Sequence, residues 1–185
     1  MDKHRIRTQM KARKTLLDDS EKALAAENAF GLLEQTAAFI LSEHILMYHS
    51  LPDELSTREF INKWADRKHF YLPRVNGVNL EILPYDRSRM HLGAFNIEEP
   101  DGDVLDDLSG IDMVIVPAVA YDRQGNRVGR GKGYYDRLLA GLKALTIGMA
   151  YDFQLVDTIE CEAHDIKVDY IITDRHIIAC GNRRR

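Results

Sequence analysis

Short, almost uninterrupted apolar runs alternate along this chain with segments of helical period. His44–Ser50 (HILMYHS), Met113–Val116 (MVIV), Ala144–Ala150 and Val168–Thr173 (VDYIIT) are of strand length and carry few polar residues. Runs of that kind suit strands buried on both faces. His69–Val75 (HFYLPRV) and Leu80–Tyr85 (LEILPY) are also β-like, and the proline inside each limits its pairing. Helical patterns lie between the runs: residues 2–17, residues 20–43 with Ser20 as N-cap, and Gly131–Lys143. A further helix should begin at the capping-box tetrad Ser56-Thr57-Arg58-Glu59 and reach about Arg67. This alternation predicts an α/β fold, a three-layer sandwich in which helices flank a largely parallel, Rossmann-like sheet. No repeat, low-complexity tract or Pro/Gly/Ser linker divides the 185 residues, so a single domain is expected.

Composition narrows the function classes. A formal charge of -4 argues against a dedicated nucleic-acid binder, and any basic patch must be local. Arg183-Arg184-Arg185 reads as a terminal tail. Cys161 and Cys180 have no C-x-x-C spacing, which suggests reduced thiols and neither a disulfide framework nor a zinc site. The N-terminal MDKHRIRTQMKARK has no apolar core of the signal-peptide kind, and no run is long enough to span a bilayer, so a cytoplasmic protein is expected. Glu98–Asp107 holds six acids and a proline and reads as a solvated loop.

The chemistry concentrates in Asp122–Arg137, which follows the apolar run ending at Pro117. Gly129, Gly131 and Gly133 alternate with Arg130 and Lys132, so backbone N–H groups can approach an anion with no Cβ in the way. Five cations (Arg123, Arg127, Arg130, Lys132, Arg137) stand against two acids here. Like charges crowded on one loop repel unless an anion joins them. The loop is therefore read as a polyphosphate site rather than a plain strand-to-helix turn. It is not a Walker A motif, because Asn126 and Gly133 occupy the positions that motif gives to Gly and to Ser or Thr. Nor does G-x-G-x-G match the dinucleotide fingerprint. Tyr134 and Tyr135 suit either core packing or stacking on a flat heterocycle. Asp136 suits either an early-helix carboxylate or a Mg²⁺ ligand. Lys3, Arg7 and Lys11 recur every fourth residue along one helix face, a solvated basic stripe or a second arm of the anion site. His44, His49 and His69 sit in or beside β-like runs and read as structural.

Gly125–Arg137 (GNRVGRGKGYYDR) resembles the signature of the 5-formyltetrahydrofolate cyclo-ligase family, also called 5,10-methenyltetrahydrofolate synthetases. Lys3–Arg7 looks like that family's K-x-x-x-R helix, SLPDELST at Ser50–Thr57 its substrate segment, and HDIKVDYIIT at His164–Thr173 its C-terminal strand. The family usually has Gly and Phe where this chain has Ala118 and Tyr121, and Asp86–Pro100 matches loosely around GAFNIEEP. The resemblance implies an enzyme of one-carbon metabolism. Such an enzyme closes 5-formyltetrahydrofolate to 5,10-methenyltetrahydrofolate with ATP and Mg²⁺, releasing ADP and phosphate through a phosphorylated formyl group. By the same resemblance Lys3, Arg7, Arg127, Val128, Gly129, Arg130, Gly131, Lys132, Gly133, Tyr134 and Tyr135 contact ATP. His49 and Glu54 meet the folate together with residues 130–134, Arg130, Lys132 and Tyr134 act in catalysis, and Asp136 and Asp169 hold Mg²⁺. A monomer without nucleic-acid or membrane partners is expected. The alternative is a non-catalytic nucleotide- or phosphate-binding module of the same fold.

Overall fold

A computed structural model describes residues 2–93 and 98–181. Ala94–Ile97, within the loosely matched stretch, and the Arg183–Arg185 tail lie outside the described residues. Helix α1 (Lys3–Lys14) precedes α2 (Asp19–Glu34) and α3 (Ala37–Leu41). Strand β1 (His44–Leu46) leads through a loop to α4 (Arg58–Trp64), followed by β2 (His69–Asn76), β3 (Asn79–Pro84), β4 (Met90–Leu92) and β5 (Glu98–Pro100). Then come β6 (Met113–Pro117), β7 (Ala120–Asp122), β8 (Arg127–Val128), α5 (Tyr134–Ala140) and β9 (Leu145–Met149). Strands β10 (Leu155–Val156), β11 (Tyr170–Ile172) and β12 (Ile177–Ala179) complete the chain.

The main sheet has seven strands in the order β12-β11-β9-β6-β1-β2-β3. Its five central strands run parallel, and an antiparallel partner closes each edge, β12 beside β11 and β3 beside β2. The α/β expectation holds, and the apolar runs explain it. Along β6, Met113 and Ile115 enter the core on one face while Val114 and Val116 enter the core on the other. That is the two-residue period of a strand covered on both sides. The first face packs under Phe30, Leu33, Phe39 and Phe60 of α2, α3 and α4, the second under Leu139 of α5. A small sheet, β10-β7-β8, lies beneath Ile6 and Met10 of α1. Pairing of β1 with β2 ends at Tyr71, so Pro73 lies beyond it and removes no bond of that ladder.

Helix ends depart from expectation where side chains found better partners. Asp18, not Ser20, caps α2: its Oδ1 accepts from Glu21 N at 2.8 Å, and Glu21 Oε2 accepts from Asp18 N at 2.9 Å. The segment expected to be helical from 20 to 43 breaks after Glu34, because extended Thr36 restarts the chain as α3 and caps Phe39 N. The Ser56–Glu59 tetrad forms no capping box. Thr57 Oγ1 instead donates to Tyr48 O at 2.9 Å and accepts from Ser50 N, fastening the loop after β1 to the top of its own strand. The helix expected over 131–143 is shortened to α5 at both ends: Gly133, with a left-handed φ of 67°, is its N-cap, and Gly141 is its C-cap. The acidic stretch is not wholly a loop, for Glu98–Pro100 pairs with β4.

Where β9 passes under the small sheet, Gly148 leaves room for the buried Tyr121 ring, whose hydroxyl donates to Val116 O at 2.7 Å. A Cβ at 148 would lie 2.5 Å from the ring. Gly148→Ala is therefore expected to cost about 1–3 kcal/mol of stability through overpacking. Urea unfolding, read as a lower midpoint with an unchanged slope, checks it.

Candidate active site

Ligand clefts in open parallel sheets form beyond the carboxyl ends of strands. A cavity of about 250 Å³ opens there, beside Pro117 and Ala118 at the end of β6 and Tyr48 and His49 after β1. Pro73, Val75 and Leu80 of the β2–β3 hairpin form an apolar wall. The opposite wall is Arg127 and residues 129–136, the glycine-rich loop and the start of α5, apart from Gly131, which does not line the cavity. The loop does not follow Pro117 directly. The β7–β8 hairpin runs down the sheet face and returns. Its turn is held by buried Asp122, which accepts from the N–H groups of Gln124, Asn126 and Ile159 and from the Asn126 amide. Gly125 at that turn has φ 84°. Gly131 and Gly133 take φ of 98° and 67°, whereas Gly129 does not require a positive φ.

Three of the crowded cations, Arg127, Arg130 and Arg137, are matched from within, which eases the repulsion expected of a bare loop. Arg127, with its side chain 4% exposed, donates from Nη2 to Asp136 Oδ1 at 2.7 Å. Its Nε is buried without a partner among the described residues. Arg130 Nη2 donates to Asp53 Oδ1 at 2.6 Å and to Glu54 Oε1 at 3.1 Å. Arg7 Nε donates to Gly129 O at 2.8 Å, which fixes the loop to α1 from behind. Lys3 turns to Asp165 Oδ2 at 2.6 Å, and neither Lys3 nor Arg7 lines the cavity. Lys132 lines it, and its side chain bonds to no described residue. Arg137, outside the cavity lining, braces the loop by donating to the carbonyls of Lys132 and Val78. Tyr134 lies under the Arg137 guanidinium and donates to Gly77 O at 3.2 Å. Burial pushes the Tyr135 hydroxyl well above the ordinary phenol range, so it stays neutral.

Not every expected contact fits this geometry. Val128 is fully buried beside Ile6 and Met10, and its carbonyl already accepts from Val119 N at 2.7 Å, which leaves its side chain no access to a nucleotide. Asp169 sits at the amino ends of β9 and β11, where its Oδ2 accepts from Thr146 N and Oγ1 at 2.9 Å each. It does not line the cavity, so it makes no pair with Asp136 there. Among the described residues no group of three or more His, Cys, Asp or Glu side chains is placed to hold a metal. Asp136 does face the cavity, but its Oδ1 already accepts from Arg127 and from Ile166 N.

Glu54 is 11% exposed, and its Oε2 is fixed by Leu51 N at 2.9 Å. His49 is no isolated core histidine. Its Nε2 lies 3.5 Å from Glu98 Oε2, and Glu98 also pairs with Arg58. Burial first, and Arg58 second, lower the His49 pKa despite Glu98, so the ring enters neutral pH uncharged. Glu98 and Glu99 both line the cavity. A bland acidic run gave no sign of that. Asp53 also escaped the sequence reading, although it stands beside Glu54.

Among the described residues, no helix is long and apolar enough to cross a membrane. The sequence matches the model of the 5-formyltetrahydrofolate cyclo-ligase family over residues 1–174. It is 34% identical over 144 residues to the 5-formyltetrahydrofolate cyclo-ligase of Escherichia coli strain K12, covering 72% of this chain and 79% of that one. The corresponding protein of Haemophilus influenzae is 32% identical over 150 residues, covering 76% and 78%. Among solved structures, the 5,10-methenyltetrahydrofolate synthetase of Aquifex aeolicus aligns at a TM-score of 0.88 with 29% identity, over 99% of this chain and 95% of that one. With nearly its whole length matched in sequence and fold, the chain belongs to the 5-formyltetrahydrofolate cyclo-ligase family.

Proposed function

We infer that this protein catalyses the ATP-dependent cyclisation of 5-formyltetrahydrofolate to 5,10-methenyltetrahydrofolate, with release of ADP and phosphate. The observation that carries the reading is the cavity itself, in which Arg127, Arg130 and Lys132 face an apolar wall across a space beyond the parallel strands. A cationic side suits a triphosphate, and an apolar wall suits a flat ring system. The formyl oxygen attacks the γ-phosphorus, and the bond to the β-phosphate oxygen breaks with departure of ADP. The N10 nitrogen then attacks the activated formyl carbon and loses its proton, and the carbon–oxygen bond breaks as phosphate leaves. No enzyme nucleophile enters these steps, in keeping with a cavity lined by no serine or cysteine among the described residues.

Phosphoryl transfer is accelerated chiefly by positioning and by neutralising charge. Lys132 is proposed to meet the γ-phosphate, because it alone among the loop cations facing the cavity is not already paired with a described residue. Arg130 offers the nitrogens of its fork that Asp53 and Glu54 do not engage. Tyr134 and Tyr135 supply ring faces beside the same phosphates, and Glu54 orients the pterin side. Magnesium would be held, if bound, by Asp136, a carboxylate of the cavity, and would supply Lewis-acid neutralisation of phosphate charge.

Purified protein supplied with 5-formyltetrahydrofolate, ATP and magnesium is expected to develop the methenyl absorption band together with ADP. Absence of both, with a known family member active in parallel, would rule the reading out. Lys132→Met is expected to lower kcat/KM by 10²-fold or more, about 3 kcal/mol of transition-state stabilisation. Because Lys132 is exposed, its removal should change stability by no more than about 0.5 kcal/mol. Steady-state kinetics beside urea unfolding separate the two effects, and equal losses in both would sink the assignment. Asp136→Ala strands buried Arg127 and is expected to destabilise by about 3–5 kcal/mol. The milder Asp136→Asn should raise the magnesium needed for half-maximal rate. An unchanged magnesium titration would leave Asp136 only its structural duty to Arg127.

A further inference from the structure

The buried face of α1 is Ile6, Met10 and Lys14, a stripe at every fourth residue whose third member is a lysine. Ile6 and Met10 pack against the small sheet, but Lys14 continues the stripe to a different end. Its side chain is 6% exposed, and its Nζ lies 3.2 Å from Asp53 Oδ2, the one partner it has among the described residues. Burying an ammonium group is costly unless a partner recovers the lost hydration. An apolar residue would satisfy this stripe more simply, so the lysine answers to Asp53.

Asp53 divides its two oxygens. Oδ2 takes Lys14 and Oδ1 takes Arg130 Nη2 at 2.6 Å. The same Nη2 reaches Glu54 Oε1, so two carboxylates grip one corner of the guanidinium. Nη1 and Nε of Arg130 are bonded to no described residue, and Arg130 lines the cavity, so this edge of the fork is available to a ligand. Two carboxylates against one guanidinium would leave net negative charge beside a triphosphate, and Lys14 restores the balance. Burial raises the Asp53 pKa, but Lys14 and Arg130 outweigh it and hold the carboxyl below its ordinary range, so the relay stays charged at neutral pH.

We propose that Lys14 and Asp53 are positioning residues for nucleotide binding: Lys14 sets Asp53, and Asp53 aims the free edge of Arg130 at the phosphates while Lys14 cancels the charge of the carboxylate that does so. The proposal rests on the reading of the cavity as the ATP site. It also couples α1 to the glycine loop a second time, at the opposite end of the helix from Arg7.

Calorimetric titration of ATP into the folate-free protein, beside steady-state kinetics at varied ATP, tests it. Lys14→Met is expected to raise both the ATP Kd and the KM for ATP roughly tenfold, the scale of one charge-assisted contact. Lys14→Arg, which keeps the charge, should recover most of that loss, and Asp53→Asn should reproduce it from the exposed end of the relay. In an Arg130→Ala background Lys14→Met should add almost nothing, because the residue acts through Arg130. Full independence of the two substitutions, or wild-type ATP affinity in both Lys14→Met and Asp53→Asn, overturns the relay. If Lys14→Met does not fold, the Asp53→Asn titration decides alone. A wild-type protein that binds ATP but forms no methenyl product would sink the catalytic reading while leaving these titrations interpretable.

Discussion

Charge compensation inside the ligand-free protein is the constraint on which the site depends. Several cations converge on one short loop, and at such spacing their mutual repulsion would splay the loop if nothing opposed it. Two of them are met by carboxylates from other elements, Arg127 by Asp136 of α5 and Arg130 by Asp53 and Glu54 after β1, while Arg7 of α1 holds the loop by the carbonyl of Gly129. The loop is thereby shaped before any anion arrives, and ordering it adds little to the cost of binding. Because the partners come from α1, the β1 loop and α5, the same contacts that neutralise the loop also lock those elements together. Lys132 stands outside this scheme and keeps its whole charge for a ligand.

That arrangement in turn needs the β7–β8 hairpin. Strand β6 delivers the chain to the carboxyl end of the sheet at Pro117, but the loop begins twelve residues later, at Gly129. The excursion can return to the same edge because buried Asp122 fixes the tight turn with its carboxylate and Gly125 takes a left-handed conformation there. Gly148 makes room for Tyr121, letting the hairpin lie close on the sheet. Core packing and site geometry are thus one problem on this face. Val116, Tyr121 and Leu139 share one buried cluster on this face, joining β6, the hairpin and α5.

Much of this was legible in the residues, and the failures have physical causes. Strands β6, β9 and β11 declared themselves because burial on both faces demands unbroken apolar runs. Strands β7, β8, β10 and β12 have two or three residues each, too few for any period to register. Asp18 and Ser20 are both good N-caps, and the choice fell to Asp18 because Glu21 stands three residues on to return the bond. Thr57 had cap chemistry but spent its hydroxyl on Tyr48, a partner adjacent only in space. Crowded cations suggest an external anion, whereas Asp53, Glu54 and Asp136 already supply counter-charge to Arg130 and Arg127.

The residues alone determined the α/β architecture, the conformational freedom at Gly131 and Gly133, and the family, since apolar periodicity, backbone sterics and a local motif are properties of neighbours along the chain. Only the folded chain decided which of the many charged groups are spent on one another. It sent Asp169 to Thr146 and Val128 into the core, gave Asp136 to Arg127, and brought Lys14 and Asp53 behind Arg130. Coulomb attraction acts across space without regard to sequence separation, so the pairing of a lysine at 14 with an aspartate at 53 and an arginine at 130 had no signature until the sheet set them side by side.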